Sequence, residues 1–125
     1  MAFFEREGVR IFYLDEGKGD VIVFLHGVLF HSGMFKAQIR GLSQSYRCIA
    51  PDFRGQGRSS VPDSGYELEN LATDIIALTD HLGIRQFHLV GLSMGGFTGL
   101  RIALKYPAKL KSLILINSSA KYILC

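Results

Sequence analysis

The segment Gly91-Leu92-Ser93-Met94-Gly95 sets a hydroxyl between two glycines in the pattern Gly-x-Ser-x-Gly. It lies where a short apolar run, Phe87 to Val90, gives way to a helical stretch that Pro107 terminates. A strand-to-helix turn this tight forces the serine into strained backbone angles, and small flanking residues let the chain pass without a clash. The serine oxygen then stands above the sheet at a helix N-terminus, where backbone N–H groups and the helix dipole favour a developing negative charge. Such a turn would favour an oxyanion developing beside the serine. An ordinary glycine-rich strand–helix turn is the competing reading of the same five residues.

Other chemistries find less support. Gly55-x-Gly57 continues to Ser60 rather than to a third glycine, and Gly91 is followed by Leu92 and Ser93, so neither turn fits the dinucleotide pattern Gly-x-Gly-x-x-Gly. No Gly-x-x-x-x-Gly-Lys-Ser/Thr loop is present to cradle a phosphate. His26, His31, His81 and His88 lack the spacing of metal ligands, so neither a metal nor a cofactor is expected. A net charge of +3 gives no clustered basic face for nucleic acid. The cations after Ser93 (Arg101, Lys105, Lys109, Lys111, Lys121) alternate with apolar residues and read as a solvated face. No apolar run approaches the roughly 20 residues that span a bilayer. Glu5, Arg6 and Glu7 stand where the apolar part of a secretory signal would begin. The cysteines, Cys48 and Cys125, are too few for a disulfide scaffold and read as thiols in a reducing compartment. The expectation is a soluble, cytoplasmic protein.

With 125 residues there is room for one domain at most. The chain is 48% hydrophobic but only 20% charged, where about 25% is usual. A sheet buried on both faces would account for that, and so would membership of a larger core. The run Val21 to Leu25 is unbroken and rich in β-branched residues, the mark of a buried central strand. Ala2 to Glu7, Val9 to Asp15, Tyr46 to Ala50, Phe87 to Val90 and Leu113 to Ile116 read as further strands. A helix is expected from about Ser32, carrying Phe35, Ile39 and Leu42 on one face. A second is expected behind Ser64-Gly65-Tyr66-Glu67, which has capping-box spacing. Leu68, Leu71, Ala72, Ile75, Leu78 and Leu82 share its apolar face, and Gly83 stands at its C-cap. From Val21 onward, strands and helices alternate. That order specifies an α/β fold, a mostly parallel sheet with helices on both faces.

Three motifs, in this order, resemble the α/β-hydrolase family. His26-Gly27 after a buried strand resembles its oxyanion loop. Asp52-Phe53-Arg54-Gly55-Gln56-Gly57-Arg58-Ser59 is similar to its Asp-x-Arg-Gly-x-Gly-x-Ser turn, and Gly91 to Gly96 to its nucleophile elbow. The resemblance runs from about Val9 to Ser119 and is strongest to small esterases, lactonases and cofactor-free haloperoxidase-like hydrolases. Haloalkane dehalogenases and epoxide hydrolases place an Asp where this chain has Ser93. The proline common in those groups two residues after His-Gly is replaced by Leu29.

The resemblance implies a serine hydrolase acting on a small-molecule carboxylic ester or lactone. Ser93 would be the nucleophile, and the backbone N–H groups of Met94 and Val28 the oxyanion donors. His26, Gly27, Asp52, Arg54, Gly55, Gly57, Gly91 and Gly95 would shape the loops around the site. In that fold the acid and the histidine follow the serine, yet residues 94–125 contain no His, Asp or Glu. The expectation is therefore a partial domain over residues 1–125, resembling the N-terminal half of such an enzyme and ending after a sixth strand. The competing class is a non-catalytic fragment or interaction module. The last strand would lie at a sheet edge, an apolar template for self-association.

Overall fold

The computed structural model describes residues 2–116. Within them the chain runs β1 (Ala2–Arg6), β2 (Val9–Glu16), β3 (Val21–Leu25), a 3-10 turn over Ser32–Phe35, α1 (Lys36–Leu42) and β4 (Arg47–Pro51). It continues through α2 (Leu68–His81), β5 (Phe87–Leu92), α3 (Met94–Lys105), a 3-10 turn over Pro107–Lys109 and β6 (Leu110–Ile116). The six strands form one sheet in the order β1-β2-β4-β3-β5-β6. β4, β3, β5 and β6 are parallel, and β1 and β2 extend the sheet as an antiparallel hairpin. Helical crossovers between parallel neighbours impose this arrangement.

All five residues of β3 are buried, because the sheet is covered on both sides. On one face Val23, Leu25, Ile49, Phe87 and Leu89 pack with Leu71, Ile75 and Leu78 of α2 and Ile102 of α3. On the other, Ile22, Phe24, Cys48 and Ala50 pack with Phe35 and with Ile39 of α1. Burial raises the pKa of the Cys48 thiol, which leaves it protonated and inert in the core. Ser119, Lys121 and Cys125 lie outside the described residues.

Beyond shifts of one or two residues at strand ends, the sequence expectations differ from the structure at three places. The helix expected from about Ser32 begins as a 3-10 turn and becomes α-helical only at Lys36. Strand β6 starts at Leu110, three residues ahead of the expected Leu113. The capping box does not form. Helix α2 starts at Leu68 behind Glu67, and no side chain caps it. Other partners win there: the Ser64 carbonyl accepts from Arg54 Nη1 at 3.2 Å, and the Gly65 carbonyl accepts locally from Asn70 Nδ2 at 2.8 Å. Gly83 does follow the helix at φ 72°, a left-handed position that favours glycine.

Three of the late cations have acidic partners: Arg101 with Glu69, Lys109 with Asp80, Lys111 with Asp20. Among the described residues, β6 forms one edge of the sheet, with Ile114, Leu115 and Ile116 exposed. No helix among them is long and apolar enough to cross a membrane.

Candidate active site

The site begins with register. Leu25 of β3 pairs with Gly91 of β5, so the chain leaving β3 at His26 runs beside the chain leaving β5 at Leu92. Ser93 follows with φ 52° and ψ −112°, and α3 starts at the next residue. A non-glycine residue in that region costs about 1–3 kcal/mol, which the surroundings must impose. They do so by close packing. A Cβ on Gly95 would strike the Leu25 carbonyl and stand 2.8 Å from the His26 oxygen; one on Gly91 would stand 2.5 Å from the Gly95 oxygen and 2.7 Å from Gly96 Cα. Only bare backbone fits at either glycine. The Ser93 N–H donates to the Ile116 carbonyl at 3.0 Å, while its own carbonyl receives the Phe97 N–H, the first bond of α3.

The loop after β3 is pinned by its own histidine. His26 is fully buried. Its Nε2 accepts the Phe53 N–H at 3.0 Å, which leaves the proton on Nδ1, donated to the Gly27 carbonyl at 2.7 Å. The same carbonyl accepts the Phe30 N–H at 3.1 Å, closing a turn over Gly27–Phe30. In a trans peptide the N–H points opposite to the C=O, so both donors on Gly27 also aim the Val28 N–H away from themselves. A Cβ on Gly27 would lie 3.6 Å from Ser93 Cβ, which puts this turn directly beside the elbow. Leu29 has φ 67° and is 91% exposed. For leucine that conformation costs roughly 1–2 kcal/mol. Its N–H donates to Gln56 Oε1 at 2.7 Å.

Burial lowers the His26 pKa below its ordinary 6.5, only partly opposed by the Gly27 hydrogen bond. Protonating Nε2 would also break its bond from Phe53. An unfolded chain takes up that proton near pH 6.5, where folded His26 still resists it. The stability His26 contributes is therefore full above pH 6.5 and is lost as the pH falls from there toward its lower folded value. We expect the urea midpoint to drop over that window and the His26 ring resonances to stay neutral through it. A ring titrating at or above 6.5 would refute this.

The Asp52–Ser59 turn is a knot of backbone ties. Asp52 is buried; Oδ1 accepts the Ser32 N–H at 2.6 Å and Oδ2 the Arg58 N–H at 2.9 Å. The Ser59 hydroxyl donates to the Asp52 carbonyl at 2.6 Å and accepts the Phe12 N–H at 2.9 Å. Gly55 and Gly57 both have positive φ, and a Cβ on Gly57 would collide with the Asp52 carboxylate. Arg54 makes two bonds to Asp74 of α2, at 2.7 and 2.8 Å, and Arg6 reaches the same carboxylate at 2.6 Å. Paired this way, the Arg54 guanidinium is held more firmly protonated than usual. The turn that carries Gln56 is thus fixed to β2, to the loop before α1, and to α2.

The structure brings Ser93, Met94, Gly91 and Gly95 together with His26 and Gly27. Asp52, Arg54, Gly55 and Gly57 lie in the supporting turn. Sequence reasoning missed Gln56, Asp74 and Arg6. An acid on the apolar face of α2 was the one available signal, for Asp74. His31 Nδ1 accepts the Gly33 N–H at 3.0 Å, and His31 lines a cavity of about 360 Å³ together with Lys36 and Arg58. Among the described residues no group of three His, Cys, Asp or Glu side chains could hold a metal ion.

Comparison with known proteins agrees with this fold. A cis-3-alkyl-4-alkyloxetan-2-one decarboxylase of Shewanella oneidensis is 34% identical across 97% of this chain, and 3-oxoadipate enol-lactonase 2 of Acinetobacter baylyi is 36% identical across 92%. The solved structure of an enzyme that degrades N-acyl homoserine lactones superposes with a TM-score of 0.92 at 32% identity over 94% of the chain. The chain spans 39% and 44% of the two relatives' lengths and 45% of that structure's. Haloalkane dehalogenases and epoxide hydrolases are similar over the same stretch, so overall likeness does not separate these chemistries. The family model for the alpha/beta hydrolase fold matches residues 20–125, and with the sheet order and the elbow in place the chain belongs to that family.

Proposed function

We propose that Ser93 is the nucleophile of a serine hydrolase for small carboxylic esters or lactones, working in the cytoplasm. The observation that carries this is the strained Ser93, φ 52°, at the start of α3 with Gly27 packed beside it. Ser93 Oγ attacks the substrate carbonyl carbon, and the carbonyl oxygen takes up the charge between the Met94 and Val28 N–H groups. One such donor is worth roughly 3–4 kcal/mol of transition-state stabilisation. The serine proton must pass to a base oriented by an acid. Residues 94–125 offer neither, and both ring nitrogens of His26 are engaged. Full turnover requires that pair from outside these residues.

The 125-residue chain is therefore expected to be acylated by activated aryl esters slowly, and only at Ser93. An oxyanion site without its triad still supplies about 10³–10⁴-fold over water. Release of p-nitrophenol by the chain and by Ser93→Ala tests the reading. Equal rates in both would favour a non-catalytic interaction module on a hydrolase scaffold.

The same sheet supports self-association. Among the described residues β6 edges the sheet and exposes Ile114, Leu115 and Ile116, and an apolar edge strand templates strand addition. Light scattering at tens of micromolar, an order of magnitude where aggregation-prone species associate, should report oligomers. A monodisperse monomer would count against this.

A further inference from the structure

We propose that the cavity beside the start of α1 is a second binding site, for a small organic acid with one carboxylate on a compact apolar body. None of Gly27, Val28, Ser93 and Met94 lines it, so it stands apart from the nucleophile. It holds about 360 Å³, toward the lower end for small-molecule sites. Its walls are of two kinds. Phe12 and Leu14 of β2 form an apolar side. His31, Ser32, Lys36 and Arg58 bring hydrogen-bond donors to the other.

Ser32 points to a ligand. It is 3% exposed, and its N–H is spent on Asp52 Oδ1. Its hydroxyl makes no hydrogen bond among the described residues, and it opens onto the cavity that Ser32 lines. Buried polar groups find partners, and here the partner must come from within the cavity. Lys36 likewise makes no ion pair among the described residues. His31 Nδ1 accepts the Gly33 N–H, so the neutral ring carries its proton on Nε2 as a donor. Arg58 lies over the Phe12 ring, 5.3 Å from its centroid, which joins a cation to the apolar wall. The acid in the wall, Asp52, has each oxygen held by a backbone N–H, one from Ser32 and one from Arg58. Two fixed cations against one carboxylate leave a single positive charge, which matches a monoanion better than a phosphate dianion. Phe12 and Leu14 fit the apolar body that such an anion would carry.

Benzoate is the probe, with benzamide as its neutral counterpart and inorganic phosphate as an anion without an apolar body. Each is titrated into the isotope-labelled full chain while the backbone amide resonances are followed. Benzoate should saturate with a Kd of about 1 mM, the range for a ligand this small, and move the Gly33 and Arg58 amides. Benzamide and phosphate should each bind about tenfold more weakly, one lacking the charge and the other the apolar body. Ser32→Ala and Lys36→Gln should each weaken benzoate about fivefold. The Ser32 hydroxyl bonds nothing in the described fold, so Ser32→Ala should leave the urea midpoint unchanged. Lys36 is exposed, so its variant reads binding even if Ser32→Ala fails to fold. Ser93→Ala should bind benzoate as the wild type does, which keeps this result separate from the ester test. Affinity unchanged by Lys36→Gln and Ser32→Ala, or benzamide binding as tightly as benzoate, overturns the site. So does the absence of any saturable shift by about 20 mM, well above the affinity expected of such a ligand. Shifts confined to Gly27, Met94 and Gly95 would put the acid at the elbow and overturn the second site while leaving the nucleophile reading intact.

Discussion

Gly95→Ala is expected to destabilise the chain by about 3 kcal/mol or more, at the upper end for overpacking. The added methyl would meet the Leu25 carbonyl carbon at 2.5 Å and the His26 oxygen at 2.8 Å. Neither can step aside. Leu25 is the last residue of the central buried strand, paired to Gly91, and the His26 ring is bonded at both nitrogens. The alternative is for α3 to lift from the sheet, which would expose Ile102 and carry Ser93 away from Gly27. Stability and Ser93 labelling should fall together. Gly41→Ala is the contrast, since its Cβ would meet nothing within 4 Å on α1. That change should gain about 0.5–1 kcal/mol from helix propensity alone. Urea unfolding of the two variants checks both. A loss below 1 kcal/mol for Gly95→Ala, an ordinary value for an arbitrary substitution, would mean that the strand ends do not clamp the elbow.

Asp74→Ala is expected to cost about 3–5 kcal/mol, because it strands a buried guanidinium. Arg54 is 6% exposed and Asp74 2%, and each makes short, charge-assisted bonds to the other. Arg6 shares the carboxylate and Arg54 also bonds the Ser64 carbonyl, so one deletion loosens β1, the start of α2 and the Asp52–Ser59 turn. Asp74→Asn should cost less, since its amide oxygen keeps one acceptor for Arg54. The surface pair Arg101–Glu69 is the control: Glu69→Ala should change stability by less than about 1 kcal/mol. Chemical denaturation of the three variants measures this order. A loss for Asp74→Ala no larger than that for Glu69→Ala would refute the argument.

Much of the fold was legible in the sequence because its strongest signals are local. Val21 to Leu25 reads as a buried strand from composition alone, and Gly83 ends α2 as helix chemistry requires. The tight turn at Ser93 follows from two glycines between a strand and a helix, and the positive φ is there. What escaped has its partner far along the chain. Ser64 and Glu67 have the spacing of a reciprocal cap, but Arg54 claims the Ser64 carbonyl, so the helix starts later. Asp74 interrupts an apolar face for a reason that lies 20 residues back in Arg54 and 68 back in Arg6. Gln56 occupies a variable place in its motif and gave no signal. Its bond from the Leu29 N–H joins residues 27 apart and shows only in the folded chain.

The bond from the Ser93 N–H to the Ile116 carbonyl has a consequence for how the chain is made. Synthesis runs from the N-terminus, and β6 is the last described element to leave the ribosome. The strained serine, its glycines and the neighbouring Gly27–Phe30 turn are all encoded before residue 111, yet the carbonyl that receives the Ser93 N–H arrives only with Ile116. A nascent chain stalled at α3 would have to hold a left-handed serine with that amide bonded to water. The elbow is thus set late, when β6 docks along β5 and brings Ile116 opposite Leu92. Ribosome-bound chains of increasing length should gain protection of the Ser93 amide in one step, at the length that frees β6.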